Sequence, residues 1–173
     1  LNSGTELGKR FSNEILVSDS VNQVNDIVVE DLNDDNKLDI VTASSSSNAI
    51  HWYENENTGF SEAKLVSDNA SKVSDLLAKD LDRDGDPDIL AALRGSDEIA
   101  WFKNQNTSLG DRFGTKIVIS DSARQALSVD AADLDDDGDL DVLASSSERD
   151  NNKFIWYENE GTQFGNQQIL MHS

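Results

Sequence analysis

The chain has 173 residues, 36% of them hydrophobic, with 34 acidic against 14 basic side chains and a formal net charge of −20. That surplus repels nucleic acid and anionic membrane surfaces, and it favours cations or neutral ligands such as sugars. There is no cysteine, which excludes a disulfide framework and thiol redox chemistry, and no apolar stretch approaches the length that spans a bilayer.

The opening LNSGTELGKR is polar and reads as a loop. A strand is expected over 11–18, from Phe11 to the pair Ser18-Asp19. The next strand places Ile27 and Val29 on one side at period two. An acidic run, DLNDDNKLDI, follows from Asp31, and its tail LDIVTAS has the β-branched composition of another strand. The serine run Ser44–Ser47 is turn chemistry, and AIHWYEN and FSEAKLVSD supply two further strands.

The whole succession then returns. DLDRDGDPDI starts at Asp80, 49 residues on, and DLDDDGDLDV starts at Asp133, another 53 residues on. A phenylalanine precedes each run by 20 residues (Phe11, Phe60, Phe113). A tryptophan follows, 21 residues on for Trp52 and Trp101 and 23 for Trp156; the two extra residues fall in the loop SSSERDNNKF. Ile27 and Val29 match Leu76 and Ala78, then Val129 and Ala131. No segment has a helical period. Four short antiparallel strands repeated at about this spacing describe a blade of a β-propeller. The predicted fold is therefore all-β, with blades over about 20–67, 69–120 and 122–171 and a lone outer strand at 11–18. Known propellers close with roughly four to eight blades. Three full units thus read as part of a longer propeller, or as a protomer that completes a ring with other copies.

The acidic run explains itself through its spacing. Carboxylates recur at loop positions 1, 3, 5 and 9: Asp133, Asp135, Asp137 and Asp141 in the third copy, and Asp80, Asp82, Asp84 and Asp88 in the second. The first copy has Asp31, Asn33, Asp35 and Asp39. Position 6 is Gly85, Gly138 or Asn36, residues that tolerate a left-handed backbone. A sharp bend there turns alternate side chains toward one point. The backbone carbonyl of position 7 (Lys37, Asp86, Asp139) can join them. An all-oxygen donor set of this size suits Ca²⁺, so about three ions are expected, one per loop. The first loop is the poorest, because Asn33 lowers its charge and Asn36 replaces glycine. The helix–loop–helix calcium hand requires Glu at position 12, whereas Thr42, Ala91 and Ala144 stand here and the flanks are strands. Leu32, Leu81 and Leu134 at position 2 are expected to anchor each loop in the blade core.

With DLDRDGDPDI and DLDDDGDLDV followed by WFKN and WYENEGTQFG, the chain resembles the FG-GAP or VCBS repeat of integrin-α-like β-propellers from about Phe11 onward. The resemblance implies Ca²⁺ between the first two strands of each blade, an extracellular or cell-surface setting, and adhesion or recognition of a glycan or surface protein. That family typically closes seven blades, so this chain departs in length. Two other roles fit the resemblance: an accessory domain of a secreted polysaccharide-acting enzyme, and an architectural repeat that associates with other blades. The aromatic pairs at Trp52, Trp101 and Trp156 recur in register and are expected to pack between blades rather than stack on sugars. Asn69-Ala70-Ser71 and Asn106-Thr107-Ser108 match the N-glycosylation pattern. No catalytic constellation emerges: His51 precedes a core-like Trp, His172 is next to last, and the clustered carboxylates are assigned to the loops. The chain is expected to be a binding module and not an enzyme.

Overall fold

Each period-two apolar segment can bury one face only by pairing with neighbours and stacking against another sheet. The computed structural model, which describes residues 15–107, 112–148, 151–161 and 163–172, resolves this as three four-stranded antiparallel sheets. The first blade runs β1 (Val24–Glu30), β2 (Asp39–Ser44), β3 (Ala49–Tyr53) and, on the outside, β6 (Lys64–Ser67). Between β3 and β6 lies a small hairpin, β4 (Asn55–Glu56) and β5 (Gly59–Phe60). The second blade is β7 (Val73–Lys79), β8 (Asp88–Leu93), β9 (Glu98–Phe102) and β10 (Ile117–Ser120). The third is β11 (Ala126–Ala132), β12 (Asp141–Glu148), β13 (Asn151–Tyr157) and β14 (Gln168–His172). Neighbouring strands pair in chain order, as propeller blades require, and the three blades leave the ring open. Of the lone strand expected at 11–18, residues 11–14 lie outside the described residues and 15–18 carry no strand.

The blades stack through their faces, with the inner strands β1, β7 and β11 side by side. Burial on both faces explains why β8 reads as the unbroken run DILAAL, buried at all six positions. One core lies between the first and second blades and a second core between the second and third. Phe113 and Phe164 belong to these seams and not to the outer strands. Phe60 pairs with Asn55 in the small hairpin, and Phe113 and Phe164 make single bridges to Asn104 and Asn159. The ring of Phe113 meets Trp52 edge-on at 6.3 Å and that of Phe164 meets Trp101 at 6.0 Å, each a contact between successive blades. Polar bonds repeat with the same step. The amide of Asn104 donates to the carbonyl of Leu32 at 2.9 Å, and that of Asn159 to Leu81 at 3.1 Å. The Asp26 carboxylate accepts from Leu76 N–H at 2.6 Å, and Asp75 accepts from Val129 N–H at 2.8 Å.

Candidate metal centres

All three acidic loops join a blade's inner strand to its second strand and share one backbone. Two residues per loop are left-handed: position 6 (Asn36, Gly85, Gly138), as the sequence suggests, and also position 4 (Asp34, Arg83, Asp136). Three L-residues at a left-handed position 4 form a curl that is held by its own carboxylates. In the first two loops position 1 accepts from the loop's inner N–H groups: Asp31 from Asp35 (3.2 Å) and Asn36 (2.7 Å), Asp80 from Asp84 (3.1 Å) and Gly85 (3.0 Å). Position 5 accepts from position 7, at 2.9 Å for Asp35, 3.0 Å for Asp84 and 2.8 Å for Asp137.

Position 9 is a fully buried carboxylate in every loop. One oxygen of Asp39, Asp88 and Asp141 accepts from the N–H of the position-2 leucine at 3.1–3.2 Å. The other accepts from Asn55, Asn104 or Asn159 N–H at 2.7–2.8 Å, beyond the third strand. These aspartates thus tie loop to blade whatever else they hold. Burial pushes the carboxyl of Asp88 up to about 7, against the pull of those two N–H bonds. Burial raises Asp39 as well.

The donor sets differ. In the second loop, carboxylate oxygens of Asp80, Asp82 and Asp88 lie within 4.8 Å of one another; in the third, those of Asp133, Asp135 and Asp137 do. Among the described residues, the first loop has no such cluster of three. Its Asp35 is instead paired with Lys37 at 2.7 Å, which lowers the acid's pKa and raises the amine's. In the second loop the Lys103 ammonium reaches in from the end of β9 to Asp82, and to Asp84 at 3.2 Å. The Asp82 hydrogen bond raises the pKa of Lys103. Yet the other oxygen of Asp82, Oδ1, is buried with no hydrogen-bond partner, an orphan that a cation would satisfy. In the third loop, among the described residues, no ion pair reaches Asp133, Asp135 or Asp137. Desolvation, and then repulsion from neighbouring carboxylates, pushes Asp135 up. The adjacent cation is Arg83, whose guanidinium crosses from the second loop to Asp139 at 2.8 Å. All-oxygen donors, an orphaned carboxylate oxygen and an uncompensated acidic trio fit a hard divalent ion, best in the third loop.

Lys103 is the residue at the acidic loop that the spacing argument missed. Its register is occupied by Glu54 in the first blade and Glu158 in the third, so the signal was the change from WYEN to WFKN. In the first blade, Glu54 accepts from Asn33 at 2.9 Å, which brings another carboxylate to that loop. Near the ends of the blades where β2 meets β3, a polar cleft is lined by Gln23, Asn25, Ser74 and Gln125, by two cations, Lys72 and Arg94, and by one carboxylate, Asp97. No motif announced it.

A family model described as an FG-GAP-like repeat matches the chain twice, over residues 31–91 and 80–144. Each match begins at position 1 of an acidic loop and runs into the second strand of the following blade. No curated protein matches the chain.

Proposed function

The chain belongs to the FG-GAP-like repeat family, and on that premise we propose that it is a calcium-stabilised propeller module that recognises a glycan or surface protein outside the cell. The carrying observation is the trio Asp133, Asp135 and Asp137, whose oxygens converge without an ion pair among the described residues. Three carboxylates so close repel one another, and a divalent cation converts that repulsion into attraction. Asp133, Asp135 and Asp137 would hold the ion in the third loop, and Asp80, Asp82 and Asp88 in the second, displacing Lys103. Bound calcium supplies charge neutralisation and fixes the bend between two strands; no reaction step is assigned to it. The polar cleft supports the recognition half of the reading. Its amides and hydroxyls suit a polyhydroxylated ligand, and Lys72 and Arg94, set against the single carboxylate of Asp97, leave a small cationic surplus for an acidic group.

Titration calorimetry of the chelator-stripped protein with calcium chloride tests the first half. Saturable binding accompanied by a rise in melting temperature is expected, and no heat and no shift would overturn it. A glycan array with Arg94→Ala as comparison tests the second: binding that ignores Arg94 removes the cleft from the proposal.

A further inference from the structure

The chain contains two Asp-Gly pairs, Asp84-Gly85 and Asp137-Gly138, at positions 5 and 6 of the second and third acidic loops, and each is followed by Asp. A glycine after an aspartate is open to ring closure. Without a Cβ, its backbone nitrogen can approach the carboxyl carbon of the residue before it. With the local sequence matched, only the fold can make the two pairs differ.

The second loop holds both reacting groups. Gly85 N–H donates to Asp80 at 3.0 Å, and Asp84 N–H donates to the same carboxylate at 3.1 Å. The two oxygens of Asp84 are taken by Asp86 N–H at 3.0 Å and by the Lys103 ammonium at 3.2 Å. The third loop lacks these restraints. Among the described residues, Gly138 N–H makes no hydrogen bond, and Asp137 N–H turns to Asp135 at 3.2 Å and not to Asp133. Asp137 is exposed, and its carboxylate accepts one bond, from Asp139 N–H at 2.8 Å. Oxygens of Asp133 and Asp135 lie within 4.8 Å of it, so turning Asp137 into a neutral imide removes a repulsion. The Arg83 guanidinium stands against Gly138, where an added Cβ would meet Nη2 at 2.5 Å. It sets a positive charge beside the nitrogen that must give up its proton.

We infer that Asp137-Gly138 is a site of spontaneous succinimide and isoaspartate formation, from which the second loop protects Asp84-Gly85. The backbone nitrogen of Gly138 attacks Cγ of Asp137. A new N–C bond forms, the amide proton and the carboxyl hydroxyl depart as water, and a five-membered imide closes. Water then reopens the ring at either carbonyl. Cleavage from the side-chain carbonyl restores aspartate. Cleavage from the main-chain carbonyl leaves the backbone running through the former side chain, with no net change in atoms. The carboxylate of that product hangs one methylene shorter from a backbone one atom longer, so the third loop ages into a form whose trio no longer converges. This goes beyond the calcium and recognition reading and does not depend on it.

Long incubation of the whole chain in chelator and mildly acidic buffer tests this. Trypsin cuts after Arg83, Arg94, Arg124 and Arg149, so the two pairs fall in separate peptides. Labelling by an isoaspartate methyltransferase, with fragmentation to place the label, reads each site. Isoaspartate should accumulate at Asp137 roughly fivefold faster than at Asp84, the worth of one backbone hydrogen bond. In urea the two rates should converge. Asp80→Ala, which releases Gly85 N–H, should raise the rate at Asp84 severalfold; the urea comparison on the unaltered chain stands whether or not that variant folds. Equal rates at the two sites in the folded chain would overturn the inference. So would an Asp137 that stays intact until urea is added.

Discussion

In the second acidic loop Lys103 lies against Asp82 and Asp84, while in the third the same register is Glu158 and, among the described residues, no ion pair reaches Asp133, Asp135 or Asp137. The backbones are alike, with left-handed residues at positions 4 and 6 in both. Two cations differ: Lys103, at the end of the third strand some 20 residues along the chain, meets the second loop's carboxylates, whereas Arg83 reaches the third loop at Asp139 and not at its trio. A loop that carries its own ammonium has a counter-ion before any metal arrives. In the third loop Arg83 pairs with Asp139 and leaves the trio to its own repulsion, which a bound cation would relieve. The repeat thus keeps the backbone of the loop while varying the charge set against its carboxylates.

The largest expected effect is on the third loop. Asp137→Ala should remove one bound ion and most of the calcium-dependent gain in melting temperature. At calcium 100-fold above Kd, one site contributes on the order of 2.7 kcal/mol, or roughly 5–10 °C for a chain of this size. Differential scanning calorimetry with calcium and with chelator reads it; equal melting in the two conditions would sink the structural role. Next come the exchanges that make each loop resemble the other. Lys103→Glu should raise calcium affinity at the second loop and lower the stability of the chelated protein. Glu158→Lys should do the reverse at the third. An ammonium about 4 Å from a divalent ion costs about 2–8 kcal/mol at effective dielectric constants of 80 to 20, so well over tenfold in Kd is expected from calorimetry. Unchanged affinities in both variants would show that the comparison rests on the wrong residue.

Much of this was legible in the sequence because the repeat aligned it three times. The blade order, the acidic loops and the bend at Gly85 and Gly138 follow from spacing and from what glycine permits. The left-handed turn at position 4 was not legible, because Asp34, Arg83 and Asp136 share no chemistry that announces it. The outer strands were placed too early: an aromatic residue reads as strand, whereas Phe113 and Phe164 lie in single bridges and spend their rings on the neighbouring blade. Position 9 read as one more carboxylate, because linear spacing cannot reveal that Asp39, Asp88 and Asp141 each accept two backbone N–H bonds. The pairing of Lys103 with a loop that ends 15 residues earlier depends on strand pairing across the blade. Spacing measured from the run itself does not contain it.

A separate probe of the second loop, one that leaves its lysine in place, is pH. Burial holds the Asp88 carboxyl at about 7 in the folded protein against 3.8 for the free group. A carboxyl whose folded pKa lies above its unfolded value gives its full stabilisation below the unfolded value, and that stabilisation is lost as pH rises through the folded one. In chelator, melting temperature should therefore fall between about pH 4 and pH 7, and Asp88→Asn should flatten the fall at the cost of a lower plateau. Calcium is held by ionised carboxylates, so saturating calcium should oppose the decline and bring the two ends of the window together. A chelated protein whose melting rises steadily from pH 4 to 7 would mean that Asp88 is ionised throughout, with the N–H bonds from Leu81 and Asn104 outweighing its burial.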